Sequence, residues 1–521
     1  MSINASFNIA QKALALNQAG LGVVSNNIAN MNTPGYSKQR LDQETSGYMN
    51  IMTGDNQSYT ISAGAQISSI VRYRQEYLDT AYREQNSDTS FYYQLQQMAT
   101  SIESSLNELG DTGLLDALSQ FYDSVNTLNT NPADSTARTN FVQKAQILCT
   151  QFNQTAQNIK ETQIRAVGDL SDPNTLYTST VYAEVETINS KLEQLATINK
   201  TIVDSSTLGN IPNDLMDKRD LILDEISQYM PITTSTNSNG GINLYVNGLK
   251  LVEGTKVNKL DIIQTTDPDY PLQIQYKDSN GDLISSNINS KFDTGELAAY
   301  LQMAQNETGK LSFPSILNQL DKLANSVATT INDIQTYSNG NVKAMAIDFD
   351  ADGKKFLSDY STPPNTGLPT IFSAKDSSST ISALNITVDP EISANYWKIA
   401  AARVDTTDPD WNQAAVGNAD NSQLFAKTRV NPIDSLASMN PENYLTNIVT
   451  DMAAKIETIE FNYDTESTAF KALQTQRQSQ TGVNLDEELV DLVKYQRAYE
   501  ASARVFSVTA EILKTLVNLG T

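Results

Sequence analysis

Few residues of this chain are of a type and spacing that could do chemistry. Asp348-Phe349-Asp350-Ala351-Asp352-Gly353 matches the opening of a calcium loop, where alternate carboxylates turn inward and glycine allows the sharp bend. The twelfth position is Asp359, where such a loop needs a bidentate glutamate, and no clear helices flank it. The segment therefore reads as a polar turn, and no metal is expected. Cys149 is the one cysteine, so no intrachain disulfide and no cysteine cluster can form. It lies beside the stripe Phe141, Ala145, Leu148, Phe152, which suits an inert buried thiol. Histidine is absent. That removes Ser-His-Asp and Cys-His nucleophiles and zinc sites built on imidazole. No glycine-rich phosphate loop of either common pattern occurs, so no nucleotide site is indicated. Acid pairs and Ser-Lys pairs survive this filter, but none stands out. The expectation is no catalytic residue, no cofactor and no enzyme. Arg72, Arg74 and Arg83 form a small basic patch. It reads as pairing with local acids on a helix surface, or as an ion pair across a subunit boundary.

The elements that would position these residues are mostly helices. The chain has 521 residues and a formal charge of −24. Such a charge repels phosphate backbones and anionic lipid, so neither nucleic acid nor membrane is an expected partner. Length alone suggests about three or four domains. The N-terminus lacks a basic region ahead of an apolar core, so no cleaved signal is expected. No apolar run is long enough to span a bilayer. The strongest patterns lie at the two ends. Ile3, Phe7, Ala10, Leu14, Asn17, Leu21, Val24, Ile28 and Met31 alternate spacings of four and three, a heptad on one helix. It stops at Asn32-Thr33-Pro34-Gly35, where proline and glycine turn the chain. Leu485, Leu489, Leu492, Gln496, Tyr499, Ala503, Phe506, Ala510, Leu513 and Val517 repeat the pattern at the other end. A second face there carries Val493, Val505, Val508, Ile512, Leu516 and Leu519. A stripe so wide needs neighbours on more than one side.

Between the ends, residues 91–109, 113–129, 135–166, 178–204, 212–229 and 296–336 show helical periodicity, and a further heptad runs from Val449 to Leu473. Gly110-Asp111, Asn131-Pro132 and Asp172-Pro173 punctuate them. Ile242, Leu244 and Val246 alternate up to Asn247-Gly248, a hairpin with a type I′ turn. Leu272, Ile274 and Tyr276 lead into a second hairpin, and Leu384, Ile386 and Val388 alternate again. Residues 36–90 and 340–380 read as extended or loop-rich. The expected fold is mainly α with inserted β: an elongated multidomain chain, its terminal helices paired as a coiled coil. Residues 1–40 with 482–521 would form that coil. Residues 41–230, 296–345 and 400–481 would form a helical-bundle middle domain, 231–295 a β-rich outer domain, and 346–399 a mixed segment of open membership. Periodicity alone also allows two unrelated terminal helices docked on one globule.

Asn26-Asn27-Ile28-Ala29-Asn30-Met31-Asn32-Thr33-Pro34-Gly35-Tyr36 resembles the NNIANxNTxGY signature of bacterial flagellar axial proteins, the rod, hook and hook-associated proteins. Gly482 to Leu519 resembles the C-terminal element of the same family. The continuation Tyr36-Ser37-Lys38-Gln39-Arg40, the segment Gly482 to Glu488 and the internal Asp214-Leu215-Met216-Asp217-Lys218-Arg219-Asp220 are most similar to the hook-associated members. The resemblance is strong over about a third of the chain and weak over 231–300 and 340–430. It implies a structural subunit of the junction between hook and filament, exported unfolded through the type III route and lying outside the cell. It implies a homo-oligomer lined by paired terminal helices, with hook protein on one side and hook-associated protein 3 on the other. A cytoplasmic export chaperone would cover the C-terminal segment. The assembly interface it implies comprises Ile3, Phe7, Leu14, Leu21, Val24, Asn26, Asn27, Ile28, Asn30, Asn32, Pro34, Gly35 and Tyr36. From the C-terminal helix it adds Leu485, Leu489, Leu492, Tyr499, Phe506, Leu513 and Val517. The rivals are a hook or distal-rod subunit, and a secreted helical adhesin with a β binding module.

Overall fold

A computed structural model gives the arrangement. It describes all residues except 1–2, 53–57, 107–112, 208–211, 268–269, 362–366, 377, 409–410, 412–414 and 520–521. The break expected at Gly110-Asp111 lies outside the described residues. The helices are α1 (Ile3–Asn30), α2 (Glu76–Leu106), α3 (Leu114–Thr130), α4 (Ser135–Val167), α5 (Thr180–Thr207), α6 (Asn213–Tyr229), α7 (Glu296–Ala304), α8 (Phe313–Gln335), α9 (Pro390–Ala394), α10 (Asp420–Lys427), α11 (Pro441–Thr481) and α12 (Leu485–Leu519). The fold is mainly α with inserted antiparallel β, as expected.

The strands fall in four places. A ribbon after α1 consists of β1 (Gln39–Thr45), β2 (Tyr48–Met52), β3 (Ser58–Ser62) and β4 (Ala65–Arg72), with β1 paired to β4 and β2 to β3. After α6 come β5 (Thr233–Thr236), β6 (Ile242–Val246), β7 (Leu249–Glu253) and β8 (Lys256–Val257) in one sheet, then β9 (Lys259–Gln264), β10 (Leu272–Lys277) and β11 (Leu283–Ser285) in another. A third group has β12 (Ser338–Asn339), β13 (Val342–Phe349), β14 (Lys355–Ser358) and β17 (Ala402–Asp405) around β13. Finally β15 (Phe372–Ala374) pairs with β16 (Ile386–Val388).

Local chemistry explains most boundaries. Asn247 and Gly248 both have positive φ (42° and 82°), as the turn between β6 and β7 requires. Asp134 caps α4 by accepting from the Ala137 amide, and Ser312 caps α8 with proline in its first turn. That cap corrects the single helix expected over 296–336: α7 ends at Ala304 and α8 starts at Phe313. Residues 36–90 also differ from the loop-rich reading. They hold four strands, and α2 already begins at Glu76. Its first half buries Asp79, Arg83, Asn86 and Ser87, so it shows no apolar periodicity. Likewise 340–380 contains β13, whose Ala344–Ile347 stretch is buried.

One large apolar core joins α2–α8 and α11, with Phe121, Phe141 and Phe152 fully buried at its centre. The strands of 242–276 share it: Leu244, Val252, Ile262 and Ile274 pack into the same cluster. Phe372, Ile386 and Val388 do too. Met345, Ile347, Leu357, Ala402 and Val404 form a small separate cluster. Arg138, with no accessible surface, ties this part to α4. Its Nε donates to the Pro132 carbonyl at 2.7 Å and its Nη1 to that of Ile399 at 2.7 Å.

The calcium-like segment is the turn from β13 to β14. Asp350 Oδ1 accepts from the Asp352 amide at 3.0 Å and the Lys354 amide at 2.7 Å, and Gly353 has φ 78°. Asp359 pairs with Lys343 at 2.8 Å. These carboxylates thus build a turn and an ion pair. Cys149 is buried, and burial pushes its thiol up to about 12.

Candidate assembly interface

The terminal helices find each other across the whole chain. α1 and α12 run antiparallel: Phe7 stacks on Phe506 with centroids 4.5 Å apart, and Asn17 Nδ2 donates to Ser502 Oγ at 3.3 Å. Asn17, the one polar member of the expected stripe, is the buried polar register point often found in such seams. Gly20 allows a close approach, because a Cβ there would lie 2.5 Å from the Tyr495 ring. The buried seam of α1 is offset from the expected stripe. Ala10, Leu16, Asn17, Val23, Val24 and Asn27 are buried, whereas Phe7, Leu14, Leu21 and Ile28 are only half-buried. The structure describes no side chain for Ile3 or Val517.

On α12, Leu492, Phe506 and Leu513 are half-buried towards α1, while Leu485, Leu489 and Tyr499 stay exposed. The face turned away from α1 carries Val490, Val493, Val505, Val508 and Ile512, between 45 and 68 % exposed. Apolar side chains in this density on one open helix face make α12 the candidate contact surface.

The signature after α1 folds into a clasp. The Tyr36 amide donates to the Thr33 carbonyl at 3.2 Å, with Pro34 and Gly35 (φ 78°) at the two central positions of the turn, a type II arrangement. A Cβ on Gly35 would also come within 3.2 Å of Leu221. Asn30 Nδ2 donates to the Asn26 carbonyl at 3.0 Å, and its Oδ1 accepts from Thr33 Oγ1. Asn32 is exposed. Asn27 is buried and uses every bonding position it has. Its Nδ2 donates to the Gln39 carbonyl and to Glu488 Oε2, both at 3.0 Å. Its Oδ1 accepts from Tyr36 Oη at 2.8 Å and from the Gln39 amide at 3.0 Å. Glu488, also buried, pairs with Lys38 at 3.0 Å. Burial, then Asp217, Asp214 and Glu488, push the Tyr36 phenol well above its ordinary range, so it stays a hydrogen-bond donor. Asn27 and Tyr36 thus spend their polar atoms inside the subunit.

Beside the clasp lies a plate of buried charge. Arg72 reaches Asp220 at 2.7 Å and Asp217 at 2.9 Å; Arg74 reaches Asp79 at 2.5 Å. Arg83 pairs with Asp224 at 2.8 Å. Arg477, from the far end of α11, meets Asp224 at 2.5 Å and Asp79 at 3.0 Å and lies over the Tyr82 ring. Burial would raise the Asp220 carboxyl, but Arg74, Arg72, Arg219 and Arg83 overrule it and pull it to about 2. The Asp217 carboxylate also accepts from the Ser37 amide at 3.2 Å. The basic patch therefore pairs within the chain, in a buried network rather than on an exposed helix surface. Sequence reasoning missed Asp79, Asp224, Arg477, Lys38 and Glu488. A signal existed for part of it: Asp217, Asp220 and Asp224 are spaced three and four apart, one face of α6.

The match to known families has the same layout. Residues 7–36 match the flagella basal body rod protein family, 99–343 the flagellar hook-associated protein FlgK helical domain, and 474–519 the flagellar basal body rod FlgEFG protein C-terminal family. The chain belongs to the flagellar axial proteins, structural subunits of the flagellum. Within that class it falls in the family of flagellar hook-associated protein 1. The chain is 26 % identical to the protein of that name from Bacillus subtilis, over 98 % of this chain and 97 % of that one. It is 25 % identical to the Salmonella typhimurium protein, over 98 and 99 %. The solved flagellar hook junction protein FlgK from Burkholderia pseudomallei shares the fold, with a TM-score of 0.56 and 15 % identity, over 77 % of this chain and all of that one. Among the described residues no helix is long and apolar enough to cross a membrane.

Proposed function

We propose that this subunit forms the junction zone between hook and filament and polymerises through its terminal helix pair. The observation that carries the reading is the open α12 face of Val490, Val493, Val505, Val508 and Ile512. Fully burying such a side chain contributes about 1.5–3 kcal/mol, less the entropy of ordering it. Copies of the same chain, arranged around a tube, would supply the missing neighbours. The half-buried Phe7, Leu14, Leu21 and Ile28 flank the seam where a second neighbour would pack.

On this reading the partners are further copies of the chain, hook protein on one side and hook-associated protein 3 on the other. A cytoplasmic export chaperone covers α12 before export. Passage through the type III channel needs an unfolded chain, and the single buried Cys149 leaves no intrachain disulfide to oppose unfolding. The role is structural, with no catalytic step. The test is addition of purified subunit to isolated hook ends, scored by electron microscopy. A Val493→Asp, Val508→Asp double variant is expected to keep the melting temperature of the body and lose addition. Undiminished addition by the folded double variant contradicts the reading.

A further inference from the structure

We infer that the Arg–Asp plate is a register latch: it fastens the far end of α11 to α6 and α2, so that the terminal helices leave the body at one fixed point before any neighbour is present. This rests on the junction reading and concerns how that interface is prepared. The buried residues of α11 end at Ile459. Its last 22 residues, 460–481, meet α2 through Gln85 Nε2, which donates to the carbonyl and the carboxylate of Glu466, and through ring contacts of half-buried Tyr82 with Phe470 and of exposed Tyr93 with Tyr463. An apolar contact of that kind tolerates sliding by a turn. Arg477 does not, since its guanidinium must meet Asp79 and Asp224 together.

The segments that meet here are far apart in sequence: Ser37 of the turn, Arg72 to Arg83 at the β4–α2 corner, Asp217 to Asp224 of α6, and Arg477. Just beyond, the Lys38 amide donates to the Thr481 carbonyl at 2.9 Å, and the Tyr73 amide to the Lys38 carbonyl at 2.8 Å. A slip at Arg477 would therefore carry Thr481 away from Lys38, and with it Glu488 from Asn27. Past this point α12 packs on α1, and α1 on β1 and β4. The charged groups of the plate have side chains only 7–14 % exposed. Buried ion pairs add little net stability against an apolar replacement, but their geometry is demanding, which suits a register role.

The test is hydrogen exchange on the isolated full-length chain, with no hook present, so that failure of the latch is separate from failure of the junction reading. In Arg477→Gln, amides of 470–482 and 36–41 are expected to exchange at least tenfold faster while those of α3 and α4 keep their protection. In Asp220→Asn the same segments are expected to loosen together with 72–83. If that variant fails to fold, Arg477→Gln alone decides. Unchanged exchange at 470–482 in Arg477→Gln overturns the latch, and so does a loss of protection that reaches α3 and α4. In the unaltered chain, 1 M NaCl is expected to leave these rates as they are, because buried pairs are poorly screened. Strong acceleration by salt also overturns it.

Discussion

The bundle around α3 and α4 and the pair α1–α12 are built from similar amino acids and finished to different degrees. In the bundle, Phe121, Phe141 and Phe152 have no accessible surface. In the pair, Phe7 and Phe506 stack on each other yet remain half-buried, and five aliphatic side chains of α12 face open space. One region is a completed core; the other is one side of a core with open faces, which on the proposed reading other molecules would cover. Apolar content alone does not separate them. The number of helix faces that already have neighbours does.

The largest break in this contrast comes from the bundle. Phe141→Ala is expected to cost about 3–5 kcal/mol, seen as a lower urea midpoint. The same loss of bulk at Val493, already about half exposed, is expected to shift the midpoint by less than about 0.5 kcal/mol while weakening addition to hook ends. Equal effects would erase the distinction.

Next comes the plate between the two regions. Asp220→Asn leaves four arginines short of a counter-charge and is expected to cost about 3–5 kcal/mol. Asn27→Ala strips partners from Tyr36, Gln39 and Glu488. The expected cost is about 1–3 kcal/mol, seen as faster exchange at 36–41 with the bundle unchanged.

The smallest effect is a pH dependence. Glu184 of α5 and Glu296 of α7 lie against each other, with Tyr300 Oη donating to Glu184 at 2.9 Å. Among the described residues no lysine or arginine pairs with either. Burial, then the charge of Glu296, pushes Glu184 up to about 8, and burial pushes Glu296 to about 7. The folded chain then holds protons that the unfolded chain releases above about 4.5. The pair's contribution is full below that value and is lost as pH rises through 7–8. Asp220 has the opposite sign: its contribution is present above the ordinary carboxylate value and lost as pH falls towards 2. Urea midpoints are expected to fall from pH 6 to pH 9, and Glu184→Gln to flatten that slope.

What could be read from the sequence follows the same contrast. Heptads announced α1 and α12 because their apolar residues recur at helical spacing whether or not neighbours are present. The NG turn between β6 and β7 was equally legible. The first half of α2 was not, because Asp79, Arg83 and Asn86 take the places of core residues there. The α7–α8 break was missed because both sides keep helical periodicity. Arg477 could not be matched to Asp224, 253 residues away, without knowing that α11 folds back along α2. For the domain limits we propose one change: the 242–276 strands belong with the helical body, whose core they share.

The most direct test of the central claim is immunogold electron microscopy of intact flagella with antibody raised against residues 231–295. The account predicts a single narrow band where hook meets filament. Label spread along the hook or rod, or no label with the epitope shown to be accessible, would contradict it.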